Sequence, residues 1–68
     1  MDYGRAIAKA RKRAKLSQRE LSKAAGFSPA YVCILESGRR VPSVAAVQKI
    51  AEVCGCTAAA IHAEAERT

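Results

Sequence analysis

A chain of 68 residues holds one domain, 1–68, and a domain this small buries only about 60% of the surface its unfolded form exposes, so its core must be efficient. Half of the residues are hydrophobic and three are aromatic (Tyr3, Phe27, Tyr31), a globular composition that excludes an intrinsically disordered chain. The net charge of +6 favours a polyanionic partner, and no apolar stretch approaches the roughly 20 residues that span a bilayer.

The charge is uneven. Up to Arg40, ten basic residues stand against Asp2, Glu20 and Glu36, a net +7; from Val41 onward Lys49 and Arg67 stand against Glu52, Glu64 and Glu66, a net −1. One half of the molecule is therefore suited to a polyanion and the other is not. Three cysteines in no recognisable disulfide spacing, with no signal-peptide run at the N-terminus, point to a reducing cytoplasm.

In chain order, the first predicted helix runs from Asp2 to about Ala14. Its RAIAKARKRAK stretch is basic with an apolar stripe, but that stripe is mostly alanine, too little area to anchor on a membrane. Ser17 and Glu20 then form a capping box, in which each side chain satisfies the other's backbone N–H, with Leu16 and Leu21 as a hydrophobic staple. Phe27-Ser28-Pro29 repeats the scheme, Ser28 as N-cap, Pro29 at the first helical position and Phe27 stapling Val32. Pro42-Ser43 and Cys56-Thr57 are further cap sites, with Val47 and Ile61 at the matching staple positions. Gly26, Gly38 and Gly55 follow apolar-periodic runs, where a left-handed residue closes a helix.

Five helices follow, over 2–14, 18–25, 29–37, 44–54 and 58–66, and the fold class is all-α. The inward stripes read Ile7, Ala10 and Ala14; Leu21, Ala24 and Ala25; Val32 and Leu35; Val44, Val47, Ala51 and Cys54; Ala58 and Ile61. The second and third helices are joined so tightly around Gly26-Phe27 that they are expected to cross steeply.

The segment 16-LSQRELSKAAGFSPAYVCILESGRRVPS-43, followed by VAAVQKIAEVCGCTAAAI, resembles the phage-repressor or Xre-type (Cro/cI-like) helix-turn-helix family from about Ile7 to Ile61. Leu21, the small Ser22, Ala25, the turn residue Gly26, Val32 and Leu35 stand where the two helices of that motif pack closely. The resemblance implies a five-helix, lambda-repressor-like domain whose third helix enters the major groove of double-stranded DNA. With Val32 and Leu35 inward, Ala30, Cys33, Ile34 and Ser37 form its outer stripe, and Ser28, Pro29 and Tyr31 lie at its tip. Gln18 matches a residue that reaches the backbone or a neighbouring base. Arg19, Lys23, Arg39 and Arg40 are suited to phosphates, whereas Lys9, Lys12 and Lys15 read as solvated. Arg11 and Glu36 match an ion pair that locks the first helix onto the third.

The outer stripe carries no Arg, Asn, Gln or Lys for bidentate base contacts, each worth about 1–3 kcal/mol of discrimination, so direct readout should be thin. Cys54, Cys56 and His62 do not make a zinc site, because the cysteines are separated by one residue and the ligands are too few; both cysteines read as small hydrophobes and His62 has no evident partner. Cys33 is either an inert small residue or a redox-sensitive group on the DNA face. No catalytic constellation, cofactor or small-molecule site is evident. The expected function is a cytoplasmic, nucleoid-associated transcriptional regulator, a repressor acting as a homodimer on a pseudo-palindrome, with the surface from Cys56 to Glu66 as the dimer contact. A DNA-binding antitoxin or mobile-element control protein shares this fold, and a protein-docking module that uses the scaffold without DNA is the alternative of a different class.

Overall fold

In the computed structural model, which describes residues 1–67, the chain forms α1 (Tyr3–Arg13), α2 (Gln18–Ala24), α3 (Tyr31–Glu36), α4 (Val44–Cys54) and α5 (Ala58–Arg67). The caps read from the sequence account for most of the starts. Ser17 Oγ accepts from the Glu20 N–H at 3.0 Å while Glu20 Oε1 accepts from the Ser17 N–H at 2.8 Å, the reciprocal arrangement of a capping box. Ser43 Oγ and Thr57 Oγ1 each accept from the N–H three residues on, both at 3.1 Å. Asp2 does the same for Arg5 at 3.0 Å. Gly26, Gly38 and Gly55 all take positive φ.

Two boundaries differ from the sequence reading. Ser28 is not the N-cap of α3: a turn through Pro29 and Ala30 comes first, with the Tyr31 N–H donating to the Ser28 carbonyl at 3.1 Å, and the helix begins at Tyr31 without a side-chain cap. Ser-Pro thus starts a turn that runs into the helix. After α1 the chain reverses at Lys15, whose φ of 59° is the sole positive value for a non-glycine among the described residues. Arg11 holds this bend by donating from Nη1 to the Leu16 carbonyl at 2.8 Å.

The core is built from Ile7, Leu21, Val32, Leu35, Val47, Ile50 and Ile61, with Ala6, Ala51 and Ala65 filling between them. α1 lies at the centre, against α3, α4 and α5, while α2 packs on α3 and α4. Several expected core positions lie elsewhere. Val44 is 67% exposed and Ala24 and Cys56 are also on the surface, while Ala10, Ala14, Cys54 and Ala58 are half-buried. The stripe of α4 is rotated toward Ala46 and Ile50, both buried, which leaves Val44 in solvent.

Polar contacts close α1 against α5. The Tyr3 hydroxyl and His62 Nδ1 share a short hydrogen bond, so His62 has a partner after all. The Asp2 N–H donates to the Ala65 carbonyl at 2.9 Å, and Lys9 pairs with Glu64 at 3.3 Å. At the other side of α1, Gly4 is buried against the end of α3: a Cβ there would lie 2.7 Å from the Glu36 carbonyl oxygen and 2.8 Å from that of Leu35. Only glycine permits this approach of two backbones. No single helix among the described residues is long and apolar enough to cross a membrane.

Candidate nucleic-acid interface

α3 has six residues, too few to be stable alone, since a helix gains little until several turns have propagated. Its position is imposed by its neighbours. Ser22, fully buried on α2, accepts the Val32 N–H on its Oγ at 3.2 Å. That bond satisfies an orphan donor in the first turn of α3, the service a side-chain cap would otherwise give. The small residue expected at Ser22 thus allows close packing and also fixes the start of α3. The turn between them is tied by the Phe27 N–H to the Ser22 carbonyl at 2.8 Å, and Phe27 packs edge-to-face on Tyr31 with centroids 4.7 Å apart.

The other end of α3 is held by Glu36. Arg11 Nε donates to Glu36 Oε2 at 2.7 Å and Nη2 to Oε1 at 3.1 Å, a bidentate pair, and Gln18 Nε2 donates to the same Oε1 at 3.0 Å. The ion pair is nearly buried, with side chains 13% and 10% exposed. The hydrogen bond to Glu36 raises the Arg11 pKa above its ordinary value against the opposing effect of burial. A cation whose folded-state pKa is raised contributes stability that is complete below its unfolded pKa and lost only as pH rises through the folded one, so this brace is constant across neutral pH. Three helices, α1, α2 and α3, meet at one carboxylate.

The opposite side of α3 is uncommitted. Ala30 and Cys33 are exposed and Ile34 and Tyr31 half-buried, with Ser28 and Pro29 exposed at the tip. Ser37 is exposed but occupied locally: its hydroxyl donates to the Ile34 carbonyl at 2.7 Å and accepts from the Arg39 N–H at 3.4 Å. Arg19, Lys23, Arg39 and Arg40 are all exposed. Gln18 lies at the boundary; one amide N–H is spent on Glu36, so half of its donor capacity remains for a ligand.

Lys49 belongs by sequence to the charge-poor half of the chain. In the fold it lines, with Phe27, Ser28, Tyr31, Ser43 and Ala45, a groove of about 550 Å³ beside the α2–α3 turn. Its spacing of four from Ala45 on α4 was the available signal. Cys54 and Cys56 lie at the far end of α4, away from α3, and His62 is engaged by Tyr3.

A comparison with curated proteins gives no match. A family model described as a helix-turn-helix domain matches residues 2–63, which takes in all five helices except the last turn of α5. The chain belongs to the helix-turn-helix domain family, of the Xre/Cro-like type, a family of DNA-binding regulators.

Proposed function

We propose that this protein is a transcriptional repressor that binds a pseudo-palindromic operator as a homodimer, with the outer side of α3 in the major groove of each half-site. The observation that carries this reading is the asymmetry of α3: Val32, Leu35 and Glu36 are locked inward while Ala30 and Cys33 face solvent, with Arg39 and Arg40 exposed directly after the helix. Occlusion of a promoter by the bound dimer supplies the repression. Ala30 and Ile34 offer methyl contacts to thymine, Ser28 a hydroxyl, and the cations take phosphates, so affinity rests on the backbone and on DNA shape more than on base-edge hydrogen bonds.

The half-sites of such a dimer lie about 34 Å apart, whereas one copy measures 27 × 24 × 20 Å. Each α3 then lies about 17 Å from the two-fold axis, so two copies can meet only at the edges that face that axis. Two large exposed apolar side chains, Val41, 80% exposed, and Val44, stand on the connection from α3 into α4, which favours that segment as the dimer contact over the surface from Cys56 to Glu66.

A mobility-shift titration on random-sequence DNA across a salt series tests the reading. With about four phosphates neutralised per half-site, log K falls against log salt with a slope of about −3.6 per half-site, about −7.2 for the dimer. Absence of any salt-dependent shift excludes the repressor and favours the docking module, whose support is the lack of side chains for bidentate base contacts on the outer stripe.

A further inference from the structure

Cys54 and Cys56 flank Gly55 at the end of α4, and packing does not explain Cys56. Cys56, expected inside, is exposed; Cys54 is half-buried against the core. Both line the same cavity, of about 300 Å³, together with Arg13 of α1. No residue of α2 or α3 borders it, so it is separate from the proposed DNA-binding side.

The backbone of Gly55 fixes how far apart the Cα atoms of the two cysteines lie. Its φ of 74° and ψ of 29° are left-handed helical. A residue in that conformation brings its two neighbours' Cα atoms to about 5.4 Å, the mirror image of the i to i+2 separation set by 3.6 residues per turn and a 1.5 Å rise. Disulfides span Cα separations of about 4.4–6.8 Å. The Cys56 N–H, bonded to the Ala51 carbonyl at 3.0 Å, pins the turn in this shape. A common cavity and a Cα separation within disulfide reach are the two observations that bring Cys54 and Cys56 together as a pair.

We propose that Cys54 and Cys56 are a redox-active pair that a hydroperoxide closes to an intramolecular disulfide. The exposed Cys56 is the sulfur attacked first. Its thiolate forms an S–O bond with the nearer peroxide oxygen as the O–O bond breaks, leaving Cys56 as a sulfenic acid and releasing hydroxide or alkoxide. The Cys54 sulfur then displaces the sulfenic oxygen; its proton and that hydroxyl leave as water, and the S–S bond forms. The two sulfurs together lose two electrons and the peroxide gains them. Burial raises the Cys54 pKa, which leaves the exposed Cys56 as the sulfur oxidised first. A ring closed across a single residue restricts the unfolded chain little, so an external thiol reopens it readily.

The test uses the Cys33→Ser protein, in which only this pair remains, treated with hydrogen peroxide just above one equivalent. The expected product is a monomer lighter by two hydrogens that has lost both titratable thiols together and regains them with dithiothreitol. A Cys54→Ser change in the same background lets Cys56 accumulate as a sulfenic acid captured by a dimedone-type probe. A Cys56→Ser change slows consumption of the remaining thiol roughly tenfold. A product carrying sulfinic acid at Cys56 beside an intact Cys54 thiol, or a disulfide between two chains, overturns the proposal.

Discussion

The α2–α3 unit and the α4–α5 unit are held by different physics. α4 and α5 bury Val47, Ile50, Ala51, Ile61 and Ala65 against α1 and are stabilised mainly by apolar area. α3 buries only Val32 and Leu35 and is positioned by polar atoms of other elements: Ser22 at its start, Arg11 and Gln18 at its end. A helix that must leave one side free for a ligand cannot contribute that side to the core. Directional bonds compensate, fixing the helix at both ends with few buried atoms. The lesson is that the exposed side of α3 is usable because its back is over-determined.

The sharpest break of this comparison is in the core cluster to which both units contribute. Leu35→Ala removes a fully buried side chain and should cost about 2–5 kcal/mol, unfolding much of the population at ambient temperature, as read by thermal melts followed by circular dichroism. Retention of the wild-type melting temperature would mean that α3 is not seated as described. Next is Arg11→Ala. Breaking a buried ion pair costs about 3–5 kcal/mol, and the residual exposure of both side chains places this one at about 3 kcal/mol, measured by urea denaturation. Exposed Lys12, one residue on, changed to Ala gives the contrasting near-zero value expected of a solvated charge.

Gly4→Ala sharpens the same point without touching a bond. The new methyl meets two carbonyl oxygens of α3 at 2.7 and 2.8 Å, and backbone does not swing aside as a side chain does. Overpacking of this kind costs about 1–3 kcal/mol. DNA affinity at a temperature where the variant is still folded should fall as well, because the displaced element is α3. A loss of stability with unchanged affinity would show that the end of α3 moves without disturbing its outer side.

How much of this was legible in the sequence follows the range of the interaction. Capping boxes and glycine stops act over three or four residues, so Ser17, Glu20, Ser43 and Thr57 and the ends at Gly26 and Gly55 were readable. Lys15 was not, because its left-handed turn is held by Arg11 through Leu16 and by no glycine. The start of α3 differs from the sequence reading since Ser-Pro begins turns and helices alike. Contacts such as Gly4 on Glu36 and Tyr3 on His62 join residues 32 and 59 positions apart, and no local spacing encodes them. Val44 fits its helical stripe as well as Val47 does; only the placement of neighbouring helices leaves it in water. The Arg11–Glu36 pair was legible through family resemblance, whereas the third member, Gln18, reads from the sequence as wholly outward.

The smallest effect on stability, and the most direct test of the division between back and front, comes from Arg39→Gln combined with Arg40→Gln. Both side chains are exposed, and neither takes part in any of the ion pairs found among the described residues. The double variant should therefore melt with the wild type, within about 0.5 kcal/mol. Taking one cation away from the phosphates reduces the magnitude of the salt slope by about 0.9, so removing both should reduce it by about 1.8 per half-site while weakening binding to all sequences alike. Stability and binding would then be separable by position along one short segment: Glu36 anchors α3 to the protein, and three residues later the chain is already committed to the DNA. If the double variant instead loses stability with its salt slope intact, the arginines belong to the fold and the boundary between brace and ligand surface lies further along the chain, toward Val41 and Val44.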